Sequence, residues 1–120
     1  MKTLINLGLA VSGAHAHTTE QALVALARER VSVIRHETFM SDTELTLVAE
    51  VDLPAVPDTR HPLACGDYGA LYRVAQRLQQ DCIAVYDETL QRGQLVGPRA
   101  STWGTFNPSF FLNLDGTRLQ

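Results

Sequence analysis

The chain lacks four things: a surplus of positive charge, a long apolar run, a rich set of cysteines, and any motif that names a reaction. Ten Lys and Arg stand against thirteen Asp and Glu in 120 residues, for a formal charge of -3. That balance leaves nothing to drive the counterion release on which general nucleic-acid binding depends. Duplex nucleic acid is therefore excluded as a first partner. No stretch reaches the roughly 18 uninterrupted apolar residues of a membrane-spanning helix, so no membrane partner and a cytoplasmic location are expected. Cys65 and Cys82 flank a predicted helix of about fourteen residues, which at about 1.5 Å per residue holds them some 20 Å apart. A disulfide needs Cα atoms within about 7 Å, so both are expected as free thiols.

The catalytic signatures are missing as well. There is no nucleophile elbow, no phosphate-binding G-x-x-x-x-G-K-[ST] loop and no dinucleotide fingerprint. His15 and His17 form H-x-H and offer two metal ligands. Zinc sites use three or four protein ligands, and no further set accompanies these two, so neither metal nor cofactor is expected. Cys65 lies just before the second predicted helix, a position that favours a thiolate, but no Cys-His arrangement goes with it. Glu50 and Asp52 share a strand face, a geometry open to acid-base work that is more commonly a solvated surface. The expectation is a protein that is not an enzyme.

What the chain does have is a core. An apolar fraction of 45% with 19% charged residues belongs to a globular protein, and 1–120 is one domain's worth of chain. The start, "MKTLINLGLAVSGAHA", carries features of a signal peptide, but Asn6 and Gly8 interrupt its apolar run. Thr3, Ile5, Leu7, Leu9 and Val11 alternate with Leu4, Asn6, Gly8 and Ala10, a period of two that predicts a first strand. Thr18 and Gln21 form a capping box opening a helix over 19–30, with Ala22, Leu23, Leu26 and Ala27 as its buried stripe. "VSVIRHETFM" and "TELTLVAEVDL" follow as a hairpin around Ser41-Asp42, with Leu45, Leu47, Ala49, Val51 and Leu53 pointing inward. "PAVPDTRHPLACG" is a loop. Asp67 is placed to cap a second helix with Leu71, Val74, Ala75 and Leu78 at i, i+3, i+4 and i+7. "CIAVY" is a further strand, and a last hairpin is expected to turn at Arg92-Gly93 and to stop at Pro98.

The order is β-α-β-β-α-β with an added C-terminal strand and an aromatic tail, an α+β chain with the ferredoxin-like split βαβ order. In that fold the first and third strands lie in the middle of the sheet and both helices cover one face. The other face would carry Asn6, Gly8, Thr46, Val48, Glu50, His36 and Tyr86, which suits neither open water nor a dry core. A second subunit, a ligand or the tail should cover it.

The tail, "STWGTFNPSFF", holds the only Trp and three of the four Phe. Arg99, Trp103, Phe106, Asn107 and Phe110 combine flat rings with a cation and an amide, the parts needed to sandwich a purine and bond its edge. Arg92 and Arg118 would add phosphate contacts. The competing role for these rings is packing on the sheet of this or a neighbouring subunit, and both roles are compatible at the interface of a symmetric homo-oligomer.

With its "TTEQAL" helix start and "WGTFNPSFFL" ending, the chain resembles short phage and prophage proteins. Some proteins of that kind are anti-defence factors, including oligomers that sequester cyclic nucleotide signals. The resemblance implies a non-enzymatic small-ligand-binding homo-oligomer that takes up a nucleotide signal. Two other readings stand beside it: a protein-protein inhibitor or adaptor of a defence complex, and a cofactor-free enzyme using His36, Tyr86 or Asn6 on a dimeric ferredoxin-like sheet.

Overall fold

The computed structural model describes residues 2–11, 16–40, 44–53, 69–87, 91–98 and 111–119. Seven elements follow in chain order: β1 (Lys2–Val11), α1 (Thr19–Arg28), β2 (Ser32–Met40), β3 (Glu44–Asp52), α2 (Gly69–Arg77), β4 (Ile83–Asp87) and β5 (Arg92–Val96). All five strands join one antiparallel sheet in the order β2-β3-β1-β4-β5. The chain is thus α+β, and β1 and β3 each pair along both edges. No helix among the described residues is long and apolar enough to cross a membrane.

Both helices lie on the sheet face that carries Ile5, Leu7 and Leu9 of β1, Leu47, Ala49 and Val51 of β3, and Ile83 and Val85 of β4. The alternation read in the sequence is what builds this layer, because residues two apart along a strand share a face. From α2 come Leu71, Val74 and Ala75, and from the residue just past it Leu78, the stripe the sequence predicts. In α1 the stripe is rotated: Ala22, Ala25 and Leu26 are buried, Leu23 is half-buried and Ala27 is exposed. The capping box at Thr18 and Gln21 is complete in both directions, and α1 ends at Glu29. Arg30 follows with φ of 60°, a left-handed turn that ends the helix before the predicted boundary.

Two contacts hold the segment just after α2, one to β1 and one to the residue before the α1 cap. The Gln80 amide donates to the Gly8 carbonyl at 2.8 Å, and a ring N–H of His17 donates to the Leu78 carbonyl at 2.6 Å. His17 is therefore engaged in holding the fold, while His15 lies outside the described residues. Glu29 accepts from Arg73 at 2.8 Å and Arg77 at 3.2 Å, which joins the end of α1 to α2. Burial would raise the Glu29 carboxyl, but the hydrogen bonds and charges of the two guanidinium groups outweigh it and hold the group below its ordinary value.

One predicted turn is displaced. Asp87 pairs with Arg92 and Tyr86 with Gly93, so Arg92 and Gly93 are part of β5 and the chain turns before them. The glycine serves close packing there: a Cβ at residue 93 would fall 2.0 Å from the Phe111 ring.

A carboxyl held below its ordinary value stabilises the fold fully above the ordinary carboxylate range, and that contribution disappears as the pH falls through the folded value. Glu29→Gln should accordingly lower the melting temperature at neutral pH by about 3–6 °C, equivalent to about 1 kcal/mol for a partly exposed pair. Melts of the two proteins should converge in strong acid.

Candidate functional site

The sheet face opposite the helices is covered by this chain's own tail. Phe111 is fully buried there against Leu4, Val48 and Tyr86, with Phe39, Leu112, Leu114 and Leu119 around them. The Tyr86 and Phe111 rings lie 5.5 Å apart at a tilt of 46°. Asn6 holds the segment by both ends of its amide: Nδ2 donates to the Leu112 carbonyl at 3.1 Å, and Oδ1 accepts from the Leu112 N–H at 2.8 Å. An asparagine in a central strand thus pairs with a backbone that no strand neighbour could reach.

Beyond Leu112 the chain folds back on itself. Asn113 N–H donates to Thr117 O at 2.7 Å, and Leu119 N–H to Phe111 O at 3.0 Å. Gly116, at φ of 85°, supplies the left-handed residue of this turn and packs where a Cβ would meet the Phe39 ring at 2.8 Å. Asp115 closes the loop by accepting from the Thr117 backbone N–H and hydroxyl, and these hydrogen bonds lower its carboxyl below the ordinary value.

His36 does not belong to this face. The β2–β3 register shifts between Val33 and Arg35, with Ile34 as the extra residue, so that Arg35 faces Glu50 and His36 faces Ala49. Side-chain alternation restarts after the bulge on the opposite parity. His36 therefore lies on the helix side, where it borders a depression of about 680 Å³ with Leu23, Ala27 and Arg30. The grouping of His36 with Tyr86 and Asn6 is corrected accordingly, and the last two are occupied by the tail.

A different cluster sits at one end of the sheet. Thr3 of β1 is paired with Asp87 of β4, and both are buried on the helix side. The Thr3 hydroxyl has no hydrogen-bond partner among the described residues. Asp87 is already engaged, although a carboxylate has more acceptor sites than one partner fills. Arg92 begins β5 opposite Asp87. β3 finishes at the same end, where Asp52 stands opposite Lys2. Phe111 lies on the other face of the sheet, beside Gly93 and Tyr86. Sequence reasoning passed over Thr3 and Asp87 because a threonine and an aspartate at strand positions carry no motif; only their cross-strand pairing makes them a cluster.

Of the residues expected to bind a ligand, Arg99, Trp103, Phe106, Asn107 and Phe110 lie outside the described residues. Arg92 is at the sheet end just described. Arg118 is bridged to Leu112 in the tail turn and is engaged there. Cys65 lies outside the described residues, and Cys82 is a free, half-buried thiol raised above its ordinary value by burial and by the charge of Asp81. Glu50 pairs with Arg35 at 3.2 Å, which leaves Asp52 exposed beyond it on the same face. No group of three or more His, Cys, Asp or Glu able to hold a metal occurs among the described residues.

No family model and no curated protein matches the chain. A solved structure described as a phage SAM lyase in its apo state aligns over 88% of this chain and 85% of its own, at 13% identity and a TM-score of 0.40. That likeness is too distant to transfer a fold, a site or a chemistry. That solved protein is by its description an enzyme, and against it the expectation that the present chain is not one is not kept.

Replacing Asn6 by Ala leaves the Leu112 N–H and carbonyl without their partner, which should cost about 1–3 kcal/mol. Phe111→Ala should cost about 3–5 kcal/mol through the cavity it leaves. Chemical denaturation of both variants checks the two values, and proteolysis should cut the tail of Asn6→Ala before the sheet unfolds.

Proposed function

We propose that this is a phage-type anti-defence protein that binds a small nucleotide-like ligand as a homo-oligomer. The ligand would enter at the sheet end where Thr3 and Asp87 pair. The observation that carries the reading is the buried Thr3 hydroxyl, without a partner among the described residues, beside a buried carboxylate. Buried polar groups are almost always hydrogen-bonded, so an orphan of this kind calls for a bonding partner that arrives from outside.

The chemistry of the surroundings suits a nucleoside. A carboxylate accepts from sugar hydroxyls or from a base edge, and a threonine hydroxyl either donates or accepts. Arg92 supplies a fork for a phosphate oxygen. Arg99, Trp103, Phe106 and Asn107 belong to the segment that ends at Phe111, and stacked rings with an amide would complete recognition of a base. Arg118 is assigned the outer phosphate contact. In this reading the sheet is ferredoxin-like with β5 appended at the β4 edge, supported by the place of β1 between β3 and β4.

Native mass spectrometry after exposure to a panel of linear and cyclic nucleotides and SAM tests the site. A reproducible added mass of one panel member per subunit is the expected result, lost in Trp103→Ala. Thr3→Val gives a sharper test, since removal of an unpaired buried hydroxyl should raise stability by about 1 kcal/mol while abolishing the added mass. No added mass with any member, or retention by Thr3→Val, would overturn the assignment.

A further inference from the structure

The two edges of the sheet differ. β5 has five residues, whereas β2 has nine, and β2 is exposed along most of its length on both faces. Nothing among the described residues pairs with its outer edge. Ile34 and Met40 are 45% and 79% exposed. A long strand of this kind presents a row of unpaired N–H and C=O groups, and natural edges are ordinarily protected by lysine, proline or a covering element. β2 contains neither lysine nor proline. Its one bulge lies near the start, at Ile34, and leaves the stretch from Arg35 to Met40 regular.

The centre of that stretch is complementary to itself. Arg35 and Glu37 flank His36 and point to the same face, the one that bears the tail, since they stand opposite Glu50 and Val48. When two β2 strands meet antiparallel about a two-fold axis at His36, each Arg35 lies directly across from the Glu37 of the other copy. Arg35 already pairs with Glu50 at 3.2 Å, yet its side chain remains 65% exposed. Glu37 has no ion-pair partner among the described residues. The second copy would therefore supply the missing cation to Glu37 and set Arg35 between two carboxylates. A two-fold contact counts each such pair twice, which is how isologous interfaces gain from a short self-complementary sequence.

We propose that the outer edge of β2 is the homodimer interface, a continuous antiparallel sheet joined through two copies of β2 in the register that pairs Arg35 with Glu37. This rests on the oligomeric part of the proposed function and not on its ligand, because the interface lies at the opposite edge of the sheet from Arg92. The occupant is a second copy of this chain. A heterologous partner strand would gain nothing from the Arg35–Glu37 symmetry.

Mass and charge reversal test it together. The wild-type chain should run as a dimer in size-exclusion chromatography with light scattering at micromolar concentration. Glu37→Arg and Arg35→Glu each place like charges opposite one another twice, and each should weaken the dimer by about tenfold or more. The two variants mixed should restore a heterodimer, because every cross-strand pair is then again opposite in charge. Both side chains are exposed, and circular dichroism should show unchanged folding. A monomeric wild type, a dimer untouched by either reversal, or two monomeric variants that do not pair on mixing would overturn the interface. Ligand mass in the native spectrum is read separately, so failure of the dimer and failure of the ligand site are distinct results.

Discussion

The structure depends on one side chain in the middle of the sheet. Asn6 sits on β1 with its amide directed away from the helices, and it satisfies both backbone groups of Leu112. A buried face that carried Asn6, Thr46 and Glu50 without cover would leave polar groups half desolvated, whereas an apolar residue at position 6 would give the tail nothing to register on. Hydrogen bonds to a fixed amide supply direction that hydrophobic contact does not. Phe111 then fills the space made by Gly93, and the tail turn seats on Phe39 through Gly116. The second core is thus small, specific in register, and tied together by a contact that spans 106 positions of the chain.

This cover changes which part of the molecule is available for function. With Asn6 and Tyr86 committed to the tail, the face itself is closed, and attention moves to the sheet end where β1 begins and β4 finishes. There the polar residues are buried for no packing reason: Thr3 has a hydroxyl where an apolar side chain would suit the layer, and Asp87 stands beside it. Departures of this kind from local consistency are where functional sites are expected in folded proteins. The depression between the helices, about 600 Å³ and lined by Thr18, Gln21, Val24 and Arg77 among others, shows no comparable orphan.

Much of the architecture was legible because it rests on periodicity. The alternation through β3 and the i, i+3, i+4, i+7 stripe of α2 state which faces are buried, and the capping box at Thr18 states where α1 begins. That something must cover the open face was legible too, from the mixture of residues left on it, but not that Phe111 to Leu119 of the same chain do so. What the sequence hid are consequences of single residues that break a period. Ile34 is an ordinary strand residue, yet as a bulge it reverses the facing of His36. Gly93 looks like a turn former and is instead a seat for an aromatic ring. Thr3 and Asp87 are eighty-four positions apart and meet only through the β1–β4 register. No local pattern could bring them together.

The central claim, that Asn6 locks the tail as part of the folded sheet, is most directly tested by amide hydrogen exchange at Leu112 and Leu119 compared with β1. The account predicts protection of both amides approaching that of the β1 ladder, because Leu112 donates to Asn6 and Leu119 donates to Phe111. Exchange at Leu112 as fast as in an unstructured peptide, with β1 still protected, would contradict it.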